Sequence, residues 1–158
     1  AVRRLDILGE YLELRLREVL REDQGGTYGV SVQAEARRFP AGEYSVGISF
    51  GADPGRVEEL TALALAEIRR LGAEPPEEKD AAKIREQALR LYQRNLRENS
   101  FYLSALRTIF YHNLPGNLVE TRRDFIARIS PAMLQEAIRS CLDPSRLVKV
   151  VLLPARGD

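Results

Sequence analysis

An α+β fold, with a small antiparallel sheet covered by helices on one face, is predicted for this chain of 158 residues by three observations. Two adjacent stretches alternate apolar and polar residues with period two, as half-buried strands do. A connection containing Pro40 and Gly42 joins them, which makes an antiparallel hairpin the economical arrangement. Helical periodicity dominates on both sides of the hairpin. Few strands among consecutive helices describe a layer of helices packed on one sheet face. The expected order is helix, strand, strand, several helices, strand.

The elements follow in turn. Over 2–22, Leu5, Leu8, Leu12, Leu16 and Val19 recur at three and four, with Arg and Glu between them. Gly25-Gly26 should stop this helix. Tyr28, Val30, Val32, Ala34 and Ala36 then alternate with Gly29, Ser31, Gln33 and Glu35. Tyr44, Val46, Ile48 and Phe50 alternate with Ser45, Gly47 and Ser49. Asp53 is a good helix N-cap, Pro54 suits the first helical position, and Glu58 and Glu59 sit near the positive helix end. Val57, Leu60, Leu63, Ala64 and Ile68 form the apolar stripe of that helix, and Gly72 ends it. Pro75-Pro76 opens a third helix to about Asn99, with Ile84, Ala88, Leu91, Tyr92 and Leu96 inward. Ser100 is expected to cap a fourth helix, with Leu103, Leu106, Ile109 and Phe110 inward, until Pro115-Gly116. A short helix near 117–128 follows. Ser130-Pro131 starts a last helix carrying Met133, Leu134, Ala137, Ile138 and Cys141 inward, and Asp143-Pro144 stops it. Leu147 to Leu153 reads as a well-covered strand. No linker, low-complexity tract or internal repeat interrupts the chain, so residues 1–158 are expected to form a single domain.

Composition narrows the function classes. Apolar residues make up 44% and charged residues 30%, and 24 basic against 23 acidic residues leave a formal charge of +1. Such a balance offers no basic excess for nucleic acid, so a nucleic-acid partner is not expected. Alternating charges over 13–23 and 77–98 read as solvated helix surface. Arg37-Arg38 and Arg122-Arg123 are too short to form a nucleic-acid site. No apolar run reaches the ~20 residues that cross a bilayer, so no membrane span is expected. The chain opens at Ala1 directly in an amphipathic pattern, as expected of a piece of a longer or processed chain. One cysteine, Cys141, excludes an internal disulfide. Its place on an apolar stripe suits a buried, inert thiol.

The residues then become recognisable. Arg21-Glu22-Asp23-Gln24-Gly25-Gly26-Thr27-Tyr28 resembles the R-E-x-x-G-G-x-Y stretch of the pitrilysin/insulinase family, inverted zincins whose zinc motif is H-x-x-E-H. Phe50-Gly51-Ala52-Asp53-Pro54-Gly55-Arg56-Val57-Glu58-Glu59-Leu60 resembles that family's strand-to-helix junction. Ile129-Ser130-Pro131 through Leu142-Asp143-Pro144-Ser145-Arg146-Leu147-Val148-Lys149-Val150-Val151 resembles its closing helix and strand. The three blocks fall in order and cover nearly the whole chain. The resemblance implies a processing-peptidase-like metallohydrolase domain, the C-terminal one of a longer zinc metalloendopeptidase built from four similar domains. Its usual first strand would lie before Ala1.

The resemblance also implies roles. Zinc, the cofactor of the parent protein, would be bound by another domain, with none held by this chain. The single histidine, His112, cannot make H-x-x-E-H, and a zinc site in a protease needs about three protein ligands. His112, near a helix end, reads as a surface or capping residue. Arg21 and Tyr28, seven positions apart, would contact peptide substrate, with Tyr28 also stabilising the oxyanion. A phenol hydroxyl fixed by a strand can donate to a carbonyl that gains negative charge. A guanidinium fork can hold backbone carbonyls or a carboxylate. Gly25, Gly26 and Thr27 would be positioning residues, the glycines letting the chain reverse tightly. On spacing alone, Arg21 reads first as a last-turn arginine favoured by the helix dipole and Tyr28 as an ordinary strand aromatic; the resemblance is what turns the reading toward substrate contact.

Partners implied are the sister domains and a peptide or unfolded polypeptide, and the isolated fragment can self-associate through faces that normally meet those domains. The compartment, bacterial periplasm or cell envelope or cytoplasm, is open. Two further readings are a non-catalytic peptidase-like scaffold or substrate-binding subunit, against which an upstream H-x-x-E-H with a Glu well downstream would favour the enzyme, and a stand-alone peptide- or nucleic-acid-binding module, the balanced charge being against nucleic acid.

Overall fold

The computed structural model describes residues 2–22, 27–37 and 39–153. These divide into two compact units, one of residues 1–75 with 134–158 and one of residues 76–133. The division falls at Pro75-Pro76 and at Met133-Leu134, neither of which has the composition of a linker.

The first unit begins with helix α1 (Val2–Glu22), followed by strands β1 (Thr27–Arg37) and β2 (Glu43–Ala52), which pair antiparallel. A 3₁₀ turn over Pro54–Arg56 leads into α2 (Val57–Ala73). As its sequence suggests, Asp53 caps this turn, its side chain accepting from the Gly55 N–H at 2.8 Å. The unit also holds the greater part of α6 (Pro131–Cys141), from Leu134 onward. Apolar periodicity is realised on α1 at Leu5, Leu8, Leu12 and Leu16, which are buried, but the line closes on Leu20 rather than on Val19, which is only half-covered; Ile7 and Tyr11 are buried beside it. Gly9 lets α1 approach β1 closely, since a Cβ there would meet the Ala34 Cβ at 3.4 Å.

The sheet has the expected alternation. Val30, Val32 and Ala34 are more covered than Ser31, Gln33 and Glu35, and Val46, Ile48 and Phe50 than Ser45, Gly47 and Ser49. Helices cover one face and the other carries polar residues. Ion pairs lace the helix layer: Arg4 meets Glu136 at 2.9 Å, tying α1 to α6. Arg139 and Gln135 of α6 donate to the carbonyls of Gly72 and Ala73, satisfying acceptors that the end of α2 leaves open.

The second unit consists of α3 (Glu78–Asn95), α4 (Asn99–His112), α5 (Glu120–Ala127) and the residues leading into α6. Ala81, Ile84, Tyr92, Ile126 and Ile129 are buried. Arg85 donates to the Ile129 carbonyl at 2.6 Å, and the Tyr92 hydroxyl to the Val119 carbonyl at 3.3 Å. Ser130 caps the start of α6 as expected, accepting from the Met133 N–H at 3.4 Å.

Four expectations need correction. Ser100 does not cap α4, which starts at Asn99 behind Glu98 with no side-chain cap bond. The apolar stripe of α4 is not inward: Leu103, Leu106 and Phe110 are exposed, and Phe110 is 81% so. Phe101, Ala105, Ile109 and His112 form the covered line instead, with Phe101 in a T-shaped contact with Tyr92. Periodicity identifies an apolar face, but whether anything covers it is a property of the assembled structure. Cys141 is half-buried rather than buried, with its Sγ 3.6 Å from the Ser140 hydroxyl. Finally, Leu147–Leu153 forms no ladder, the sheet having β1 and β2 alone among the described residues. Val148, Val150 and Leu152 are 82%, 79% and 93% exposed. A run of β-prone residues becomes a strand only beside a free strand edge at hydrogen-bonding distance.

Candidate functional site

Arg21 lies in the last turn of α1 and Thr27 and Tyr28 open β1, so the two candidate contact residues stand on either side of one chain reversal. Gly25 and Gly26 lie outside the described residues, as does Arg38. Only residues 23–26 separate the elements, so the end of α1 and the start of β1 lie within about 18 Å of each other. Both ends are fixed by one core cluster. Leu16 and Leu20 of α1, Val30 of β1 and Leu60 and Ala64 of α2 are buried together. Leu63, Val32, Ile48, Phe50 and Ala52 pack against them. The residue before Arg21 and the residue two beyond Tyr28 therefore belong to the same apolar cluster.

The start of β1 is not a regular strand. Thr27 pairs with Ala52, but Val30 pairs with Phe50, so β1 holds one residue more than β2 over this interval. This is a one-residue bulge, which bends a strand and interrupts its ladder. Gly29 takes φ +150°, a conformation that favours glycine. The alternation that puts Val30 and Val32 on the covered face therefore ceases to be a guide at Tyr28. The signal was available, since an isolated glycine within a strand pattern marks a bulge or a close backbone approach.

Charged residues secure the scaffold beneath. Glu67 on α2 is 7% exposed and accepts from Arg15 Nε at 3.1 Å and from Arg70 Nε and an Arg70 terminal nitrogen at 2.8 Å each. Burial pushes the Glu67 carboxyl up, but hydrogen bonds from Arg70 and then Arg15 outweigh it and hold the group below the usual carboxylate range. Arg15 also donates to Glu18 at 2.6 Å. One α1 guanidinium thus bridges the two helices that carry the site's core. Glu13, unremarked by sequence reasoning, serves the sheet instead. Paired with Arg17, it accepts the Val32 N–H at 3.2 Å.

These elements define an α+β domain in which Arg21 lies in the last turn of α1 and Thr27 and Tyr28 open β1. Among the described residues no three His, Cys, Asp or Glu side chains lie together as a metal cluster. With one histidine in the whole sequence, the described residues do not fit a catalytic zinc. His112 ends α4, half-covered, in a T-shaped contact with Tyr111, and Asn113 closes that helix in the left-handed conformation.

Residues 5–88 match the family described as the peptidase M16 inactive domain, and the chain belongs to that family. It is 25% identical over 169 residues to the zinc protease PQQL-like of Arabidopsis thaliana, an alignment covering 97% of this chain and 18% of that protein. The fold is similar to the crystal structure of a peptidase M16 inactive domain from Pseudomonas fluorescens, with a TM-score of 0.74 and 17% identity over 89% of this chain and 34% of that one. It is also similar to the periplasmic protease PqqL from Escherichia coli, with a TM-score of 0.66 and 17% identity over 86% of this chain and 15% of that one. The chain therefore spans about a fifth of the length of its curated relative. No helix among the described residues is long and apolar enough to cross a membrane.

Proposed function

We propose that residues 1–158 act as the C-terminal, zinc-free domain of a longer zinc-dependent metalloendopeptidase, closing over the zinc domain and contributing Arg21 and Tyr28 to peptide hydrolysis. The observation that supports this reading is the placement of the two residues at the end of α1 and the start of β1, flanking one four-residue reversal on a common core. Zinc, held by residues of another domain, would supply the activated water. When water adds to a peptide bond the carbonyl oxygen becomes anionic, and the Tyr28 hydroxyl donates a hydrogen bond to it. Arg21 holds the peptide through its backbone carbonyls or a carboxylate. The bulge at Tyr28–Gly29 sets the backbone of the donor apart from the regular strand that follows. Substrates are peptides or unfolded segments, because a closing chamber admits flexible chains.

Tyr28→Phe in the intact, zinc-loaded parent tests the assignment. Loss of one oxyanion donor lowers kcat by about 10²–10³. Retention of full kcat on ordinary peptides would remove Tyr28 from the mechanism.

A further inference from the structure

Position 28 stands between two fixed rungs of the hairpin. On one side Val30, 6% exposed, belongs to the core cluster with Leu16, Leu20, Leu60 and Ala64, and its strand partner Phe50 packs against that cluster. Two residues further on, the Val32 N–H donates to the Glu13 carboxylate at 3.2 Å, and Glu13 is itself paired with Arg17. On the other side Thr27 pairs with Ala52, which also packs against the cluster. Directly after Ala52 the chain enters the turn capped by Asp53 that leads into α2. Neither rung can slide without unpacking the core.

Between the rungs the two strands differ in length. Thr27 to Val30 is three residues and Ala52 to Phe50 is two, so Tyr28 and Gly29 together oppose Gly51 alone. At about 3.3 Å per residue, β1 carries about 3 Å more chain than the ladder can hold, and the surplus must leave it. Unbroken alternation would put position 28 on the covered face with Val30; the extra residue cancels that placement. Gly29 makes the departure possible, because φ +150° is open to glycine and sparsely populated by other residues. Space does not demand the glycine, since Gly29 is exposed and nothing lies within 4 Å of a Cβ built there. The direction of the backbone does.

We infer that Gly29 is a positioning residue for the proposed reaction: its conformation carries the backbone of Tyr28 out of the ladder and sets where the Tyr28 hydroxyl stands for the oxyanion. The inference rests on the proposed role of Tyr28. Gly25 and Gly26 would serve the reversal before the donor, whereas Gly29 joins the donor to the core behind it. A misplacement of about 1 Å at a reacting centre costs about 10²-fold in rate. Removing the extra residue would shift position 28 by about 3 Å along the ladder.

Steady-state peptide hydrolysis by the intact, zinc-loaded parent tests this with two variants, each made also in the Tyr28→Phe background. Gly29→Ala keeps the residue count and disfavours the conformation. Deletion of Gly29 keeps the seven-residue spacing of Arg21 and Tyr28 and makes the ladder regular, with Tyr28 alone opposing Gly51 between the same rungs. Both changes are expected to lower kcat about 10²-fold and to leave KM within about threefold, because Arg21 and its helix are untouched. In the Tyr28→Phe background neither should lower kcat by more than about threefold, since the donor they misplace is already gone. A merely structural role would lower kcat by the same factor in both backgrounds, and that result would overturn the inference. Gly47→Ala, in the facing strand, should keep full kcat; a loss there as large as in the Gly29 variants would also overturn it. The deletion should leave the melting temperature of the parent unchanged or higher, so that its lost activity is not a lost fold. Full kcat in either Gly29 variant, with Tyr28→Phe impaired, overturns the inference and leaves the role of Tyr28 standing. Full kcat in Tyr28→Phe refutes that role, and the inference with it.

Discussion

Replacing Gly29 by alanine is expected to destabilise this chain, while the same change at Gly47 in the neighbouring strand is expected to stabilise it. Nothing lies within 4 Å of a Cβ built at Gly29, so steric contact contributes nothing there. The cost is conformational: at φ +150° an L-residue is held in a sparsely populated region at about 1–3 kcal/mol. Loss of glycine freedom in the unfolded chain returns about 0.4–1 kcal/mol, leaving a net loss of about 1–2 kcal/mol. At Gly47 the backbone is ordinary and an added Cβ meets the Gln33 carbonyl oxygen at 3.9 Å, a normal contact, so only the entropic gain of about 0.4–1 kcal/mol remains. The two variants should therefore differ by about 2 kcal/mol, roughly 30-fold in the folded-to-unfolded ratio. With a urea slope of about 1–3 kcal/mol/M, their midpoints separate by about 0.7–2 M. Equilibrium urea unfolding of the 158-residue chain reads this directly. If Gly29→Ala matches the wild type, or both variants shift in the same direction by the same amount, the bulge does not require glycine and the account of the backbone beside Tyr28 fails.

Other outcomes follow from the packing. Glu67→Gln should cost on the order of 1–3 kcal/mol, because it weakens a buried acceptor shared by Arg15 and Arg70. Its folded carboxyl is held below the ordinary value, so its contribution is fully present above the unfolded pKa of about 4.3 and is lost as pH falls through the lower folded value. Unfolding measured from pH 6 to pH 2 should accordingly show a component in the wild type that Glu67→Gln lacks; identical profiles would discount the pair. Leu103→Gln and Phe110→Gln should each leave the stability of the 158-residue chain within about 0.5 kcal/mol, since both side chains are exposed. A loss of 2 kcal/mol at either position in denaturant unfolding would mean that this face of α4 is covered.

The comparison between sequence and structure turns on what each kind of pattern encodes. Period and punctuation are local, and they held wherever the determinant was local. Leu5, Leu8, Leu12 and Leu16 defined the buried line of α1, Asp53-Pro54 and Ser130-Pro131 marked helix starts, and the two alternating runs paired as a hairpin. Arg21 and Tyr28 are candidates from a spaced motif alone, Arg21 in the last turn of α1 and Tyr28 at the start of β1. Glu13 and Glu67 passed unremarked among alternating charges, because a carboxylate on a solvated helix face and one that reaches a strand amide look alike in sequence.

What the sequence determined by itself, then, was the type and order of nearly every element, because hydrophobic period, caps and turn residues act within a few positions of the chain. The tertiary structure decided the rest. It decided that the apolar stripe of α4 and the run Leu147–Leu153 face outward, since burial depends on a partner surface and not on the residue. It decided that β1 starts with a bulge, since register is a relation between two strands. And it decided what meets the β1 edge, since only the packing of α1 brings the Glu13 carboxylate to the Val32 amide.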